Sequence, residues 1–159
     1  MNIIKASIDD VQAIVELEKT RFNSDAWNQT QWENEFTNNE FAIVYLLKKD
    51  NEVIGYIDFW ILFEQATIAK MCIKKEYSHQ GFGDLLLKEA LKTIDENYCI
   101  STSLEVRVSN IPAIKLYEKN LFKTELIKKG YYSDGEDCFF MIRSIGDVYE
   151  RWNYISHRI

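Results

Sequence analysis

The chain predicts an α/β fold of the mixed-sheet (α+β) kind: a central, mostly antiparallel sheet with helices on both faces. Three observations point there. Apolar strand-like runs and segments of helical spacing follow one another in the order β-α-α-β-β-β-α-β-α-β-β. The strand–helix–strand unit from 66 to 108 must cross over right-handed with its strands parallel, among connections that read as hairpins. Finally, 159 residues that are 47% hydrophobic, with one proline and no repeat or low-complexity stretch, suit a single domain over 1–159 with a buried core.

Residues 2–6 read as a short strand. Ser7 is placed to cap a helix on which Val11, Ile14, Val15 and Glu18 recur at helical spacing. Thr30-Gln31-Trp32-Glu33 matches a capping box and predicts a second short helix. Residues 41–47 and 53–63 form a hairpin around Lys49-Asp50-Asn51-Glu52, and 66–73 is a further strand. A helix over 84–97 carries Leu85, Leu86, Leu87, Ala90, Leu91 and Ile94. In the strand 100–108, apolar residues at 104, 106 and 108 alternate with polar ones at 103, 105 and 107. Pro112 suits the first turn of a helix ending near Asn120. Strands at 123–131 and 138–143 pair around Ser133-Asp134-Gly135-Glu136, and a helix over 147–156 closes the chain.

Charge narrows the partners. A formal net charge of -6 opposes nonspecific nucleic-acid binding, which needs a basic face. Three cysteines with no C-x-x-C pair fit neither a disulfide framework nor a zinc site, so no metal is expected and a reducing cytoplasm is the default. The N-terminal residues hold no long apolar run, so neither a signal peptide nor a membrane anchor is expected.

The chemistry concentrates in two segments. Ser78-His79-Gln80-Gly81-Phe82-Gly83-Asp84 sits between the strand ending Met71-Cys72-Ile73 and the helix that follows. A glycine-bearing turn that opens a helix aims several unpaired N–H groups and a positive dipole end at one point, which suits a phosphate. The turn is neither a Walker loop nor a dinucleotide fingerprint: no Lys-Ser or Lys-Thr follows, and Leu86 stands at the third glycine position. The second segment runs Leu104-Glu105-Val106-Arg107-Val108-Ser109-Asn110, then Pro112 to Phe122 with Tyr117 inside it. Gly130-Tyr131-Tyr132 and Asp134-Gly135-Glu136-Asp137 come next.

Together these segments resemble the GNAT acetyltransferase superfamily, and within it the RimI-type N-terminal acetyltransferases of ribosomal proteins. The likeness covers about residues 2–143, leaving 144–159 as a C-terminal extension that caps the sheet or mediates association. It implies a parallel, splayed pair at the fourth and fifth strands and acetyl-CoA as co-substrate. The pyrophosphate then rests on the N–H groups of His79, Gln80, Gly81, Phe82, Gly83 and Asp84, and an N–H near Met71, Cys72 and Ile73 holds the thioester oxygen. Asn110 contacts the cofactor arm, or is simply a helix cap. Glu105, half-buried, is the implied base, and Tyr117 the acid for the departing sulfur; a solvated strand carboxylate and a packed core ring are the plainer alternatives. Tyr131 and Tyr132 grip the first residues of a peptide, with Phe22 and Trp27 as the other wall. Two departures stand out: Ser78 replaces the usual Gln or Arg, and Asp84 puts a carboxylate near the pyrophosphate.

The expected reaction is direct acetyl transfer to a protein or peptide α-amine, ribosomal proteins included, by a monomer or weak homodimer acting away from membranes and nucleic acid. A small-molecule amine as acceptor is the alternative. A non-catalytic acyl-CoA-binding module is less favoured, because a binder needs neither Glu105 nor Tyr117.

Overall fold

The structure is a computed structural model and describes residues 1–22 and 24–157. Residues 158 and 159 of the expected C-terminal extension lie outside it. Among the described residues the strands are β1 (Asn2–Lys5), β2 (Ala42–Lys49), β3 (Glu52–Leu62), β4 (Gln65–Ile73), β5 (Ser101–Arg107), β6 (Lys123–Lys128) and β7 (Cys138–Ser144). The α-helices among them are α1 (Val11–Arg21), α2 (Gln29–Asn38), α3 (Phe82–Glu96), α4 (Ile111–Lys119) and α5 (Ile145–Ser156). The strands follow the order β1-β2-β3-β4-β5-β7-β6 in a mostly antiparallel sheet, with β4 and β5 the parallel pair.

The chain divides into two compact units, 1–61 with 68–93 and 62–67 with 94–159, so β4 contributes to both. In the first unit β2 pairs antiparallel with β1 and with β3. Its core gathers Val11, Ile14 and Leu17 of α1 with Trp32, Val44, Leu46 and Tyr56. Ser7 caps a short 3-10 turn at Ile8–Asp10 through a reciprocal box with Asp10, and α1 starts at Val11. The cap of α2 is Asn28, boxed with Gln31, rather than the expected Thr30. Asn28 is the better cap because its extended backbone brings its amide oxygen 2.9 Å from the Gln31 N–H.

Sheet β2–β3 carries a bulge, its register stepping from Leu47↔Gly55 to Lys48↔Val53. The Lys74 N–H donates to Ile54 O at 2.7 Å just beyond β4. A Cβ at Gly55 would lie 2.6 Å from Ile73 Cδ1 and 3.0 Å from Cys72 O, so only glycine lets β3 lie this close to the end of β4.

In the second unit β7 pairs antiparallel with β5 and β6, placing Glu105 opposite Phe140, and Phe140 opposite Leu126. The Ile100 N–H donates to Glu64 O at 2.7 Å where β5 begins. Arg143, buried on β7, forms a two-pronged pair with Asp95 at 2.9 and 2.8 Å. β6 stops at Lys128, so Tyr131 lies in the following turn rather than in the strand. No helix of the described residues is long and apolar enough to cross a membrane.

Candidate active site

The glycine turn in the first unit is built as a phosphate cradle requires. His79 and Gly81 both adopt positive φ, 60° and 84°, and a Cβ at Gly81 would meet open space. Glycine is favoured at 81 because an L side chain is strained at that φ. The first closed helical bond is Leu85 N–H to Gly81 O at 3.1 Å, so the N–H groups of Phe82, Gly83 and Asp84 precede it. The Ser78 hydroxyl is buried at the same turn and has no hydrogen-bond partner. An unpartnered buried hydroxyl beside the start of α3 fits a phosphate. Asp84 does not oppose one strongly, because its carboxylate pairs with Lys88 at 2.5 Å, one turn along α3.

Cys72 is buried in β4 and burial pushes its thiol up to about 12, so it is no nucleophile. Met71 and Ile73, on either side, are partly exposed.

Phe22 and Trp27 flank the connection between α1 and α2, and both pack against the first unit's core. The Lys70 ammonium lies over both rings, 5.2 Å from the Phe22 centroid and 4.7 Å from that of Trp27.

In the second unit Glu105 is exposed on β5, not half-buried as expected, because the alternation of the strand turns Leu104 and Val106 inward and 105 outward. It does not stand alone. Lys128 Nζ pairs with Glu105 Oε1 at 2.8 Å and sits 4.8 Å from the Phe140 ring centroid and 5.3 Å from that of Tyr131. The Glu105 carboxylate beside the Tyr131 hydroxyl, with some burial, raises the phenol to about 12. The structure therefore joins two residues that sequence reasoning gave separate roles.

Tyr132 stacks edge-on to Tyr131, ring centroids 5.0 Å apart, and its other neighbour is the Arg107 guanidinium, 4.0 Å from the ring centroid. Burial is the first cause that raises its hydroxyl. Arg107 in turn binds Asp134 at 2.9 Å and Glu136 at 3.0 Å, while Asp137 accepts from the Gly130 N–H at 2.9 Å. These bonds hold Asp134, Glu136 and Asp137 below the usual carboxylate range: the Glu136 backbone N–H leads for Asp134, Ser109 for Glu136, and the Gly130 N–H for Asp137. The turn carrying both tyrosines is thus pinned at each end.

Tyr117 is buried on α4, its ring tilted against Phe122 at 5.8 Å. Burial alone pushes its hydroxyl up to about 12. Asn110 is the cap of α4, its amide oxygen accepting from the Ala113 N–H at 3.3 Å with Pro112 in the first turn. Among the described residues no group of three His, Cys, Asp or Glu side chains is arranged to hold a metal ion.

Lys128, Arg107, Gly55 and Lys70 were not singled out from the sequence. Gly55 alone carried a visible signal, a lone glycine inside an apolar strand. The long cations gave none, since their partners lie far along the chain.

A strand that ends in a glycine turn opening a helix, with that turn shaped for a pyrophosphate, fits an acyl-CoA-dependent transferase. Residues 8–121 match the Acetyltransferase (GNAT) family, and the chain belongs to it. It is an acetyl-CoA-dependent N-acetyltransferase. The chain is 35% identical over 141 residues to a Bacillus subtilis (strain 168) protein described as "Putative ribosomal protein bS18-alanine N-acetyltransferase". That alignment covers 88% of this chain and 93% of the relative. An N-alpha-acetyltransferase of Saccharolobus solfataricus is 38% identical over 109 residues, 60% of this chain and 65% of its own. Among solved structures, the ribosomal-protein-S18-alanine N-acetyltransferase from Escherichia coli superposes with a TM-score of 0.82 at 25% identity, covering 91% of this chain and 93% of that one.

Proposed function

We propose that the enzyme acetylates the α-amine of a protein or peptide N-terminus, of the ribosomal-protein type. The observation that carries this reading is the pinned Tyr131-Tyr132 turn linked to Glu105 through Lys128, which pairs with the carboxylate and lies over the Tyr131 ring. A rigid aromatic grip beside a carboxylate suits an extended peptide whose free amine must lose a proton. The relatives described above act on N-termini by their descriptions, which supports the same acceptor.

Acetyl-CoA supplies an acetyl thioester whose C–S bond breaks as the acceptor's new C–N bond forms. The turn at His79–Asp84 holds the pyrophosphate on backbone N–H groups, with the Ser78 hydroxyl as a further donor. A backbone N–H near Met71 to Ile73 holds the thioester oxygen, a contact of about 3 kcal/mol where charge develops. A free α-amine, with a pKa near 8, is roughly a tenth neutral at pH 7, far more than a lysine side chain near 10.4. Glu105 takes the proton the amine loses on attack.

Tyr117 donates toward the departing sulfur. A phenol held at about 12 gives its proton to a thiolate of pKa about 8.5 only at a cost near 5 kcal/mol. It therefore acts as a strong, desolvated hydrogen-bond donor to the sulfur, and the thiolate leaves before it is fully protonated. Asn110 keeps its place on the cofactor arm beside its role as a helix cap. Three buried free cysteines fit a reducing cytoplasm, and monomer or weak homodimer is the expected assembly.

The test offers acetyl-CoA with an Ala- or Ser-starting peptide, an α-blocked lysine peptide, or spermidine, and follows CoA release. Turnover concentrated on the free α-amine peptides is expected. Preference for spermidine would instead establish a small-amine acetyltransferase.

A further inference from the structure

The first unit buries an ion pair to which the catalytic assignment gives no role. Glu18 of α1 has a side chain 0% exposed, and Lys70 of β4 one 12% exposed, with Lys70 Nζ 2.8 Å from Glu18 Oε1. A buried ion pair is weak evidence for stability, because desolvating both charges offsets most of their attraction. An apolar pair of similar volume fills a core as well, so what this pair touches is the informative part.

Both charges converge on the α1–α2 connection. Glu18 Oε2 accepts from the Trp27 N–H at 2.5 Å, and its backbone oxygen accepts from the Phe22 N–H at 2.8 Å. Its Oε1 also accepts from the buried Tyr56 hydroxyl, which ties the carboxylate to β3. Lys70 donates to Asp25 O at 2.9 Å and spreads its charge over the Phe22 and Trp27 rings. The connection is thus held at 22, 25 and 27, and an ammonium over two rings fixes their orientation as apolar packing does not. Lys70 is also the residue directly before Met71 on β4.

We propose that Glu18 and Lys70 are positioning residues that set the acceptor wall, fixing the Phe22 and Trp27 rings against which the first residues of a peptide are read. The inference rests on the peptide reading above and adds a determinant of acceptor affinity to it. Neither side chain takes part in proton transfer, so the pair acts on the acceptor's binding and leaves the chemical step alone.

Steady-state kinetics on Lys70→Met, Lys70→Arg and Glu18→Gln test it, with an Ala-starting peptide and acetyl-CoA varied in turn. Lys70→Met and Glu18→Gln are expected to raise the peptide KM at least tenfold, with kcat within threefold and the acetyl-CoA KM unchanged. Lys70→Arg, which keeps the cation over the rings, is expected to recover most of the loss. A peptide KM within twofold of the parent in Lys70→Met overturns the proposal. So does loss of the cooperative thermal transition in both Lys70→Met and Glu18→Gln, since the pair then serves the whole fold and not the wall. A parent enzyme without peptide turnover defeats the peptide reading itself, a result plainly different from either.

Discussion

At the scale of single residues, environment decides which groups can do chemistry. Glu105 and Tyr117 stand out in the sequence as candidates through the family resemblance, but their surroundings do not. Spacing along one strand shows neither Lys128 nor Tyr131, because Lys128 reaches Glu105 from β6, across β7, and lies over the Tyr131 ring. Glu18 carries a visible signal. It falls in phase with Val11, Ile14 and Val15 on α1, the position of a core residue, so a charge there had to be paired. The pH profile belongs at this scale. kcat/KM is expected to rise as the acceptor amine loses its proton near pH 8. It should not fall again below about pH 10, because Tyr117 keeps its proton to about 12. A descending limb between pH 8 and 10 would count against Tyr117 as the donor.

Whole elements were read well where periodicity was long and poorly where a cap or a long-range tie decided. The helices and strands lie within a few residues of their expected bounds, whereas the cap of α2 is Asn28 because a local amide bond outcompetes Thr30. Asn110 permits a clean separation of roles. Asn110→Ala should cost about 1 kcal/mol through the lost cap of α4, a melting shift of roughly 2–4 °C. Asn110→Ser keeps a capping oxygen, so it should melt near the parent yet bind acetyl-CoA more weakly. Unchanged cofactor affinity in both would leave Asn110 a cap and nothing more.

On β3, Asp58 is fully buried with both carboxyl oxygens lacking a conventional donor, and burial, then Glu35, raises it to about 9 from 3.8. Between those values folding takes up a proton. Stability therefore falls as pH rises from about 4 to about 9, by up to about 1.4 kcal/mol per unit. Asp58→Asn should raise the melting temperature at pH 8, with the gain shrinking toward pH 5. A gain independent of pH would mean that Asp58 does not titrate in this window.

For the molecule as a whole, the family and the parallel β4–β5 pair follow from two motifs, while the acceptor depends on contacts between distant segments. The glycine turn and the 104–122 run are contiguous, so their spacing shows in one dimension. The grip formed by Tyr131, Tyr132, Arg107 and three carboxylates is assembled by β-pairing across about 30 residues, and no local pattern reveals it. The central claim is that Glu105 takes a proton and Tyr117 hydrogen-bonds the departing sulfur during transfer, and that neither merely holds the cofactor. Single-turnover acetyl transfer to an Ala-starting peptide, measured beside acetyl-CoA affinity in Glu105→Gln and Tyr117→Phe, tests it most directly. Each substitution should slow transfer by roughly a hundredfold or more while the acetyl-CoA dissociation constant stays within about threefold of the parent's, as expected of groups that act only in the transition state. Full transfer rates in both variants would contradict the account.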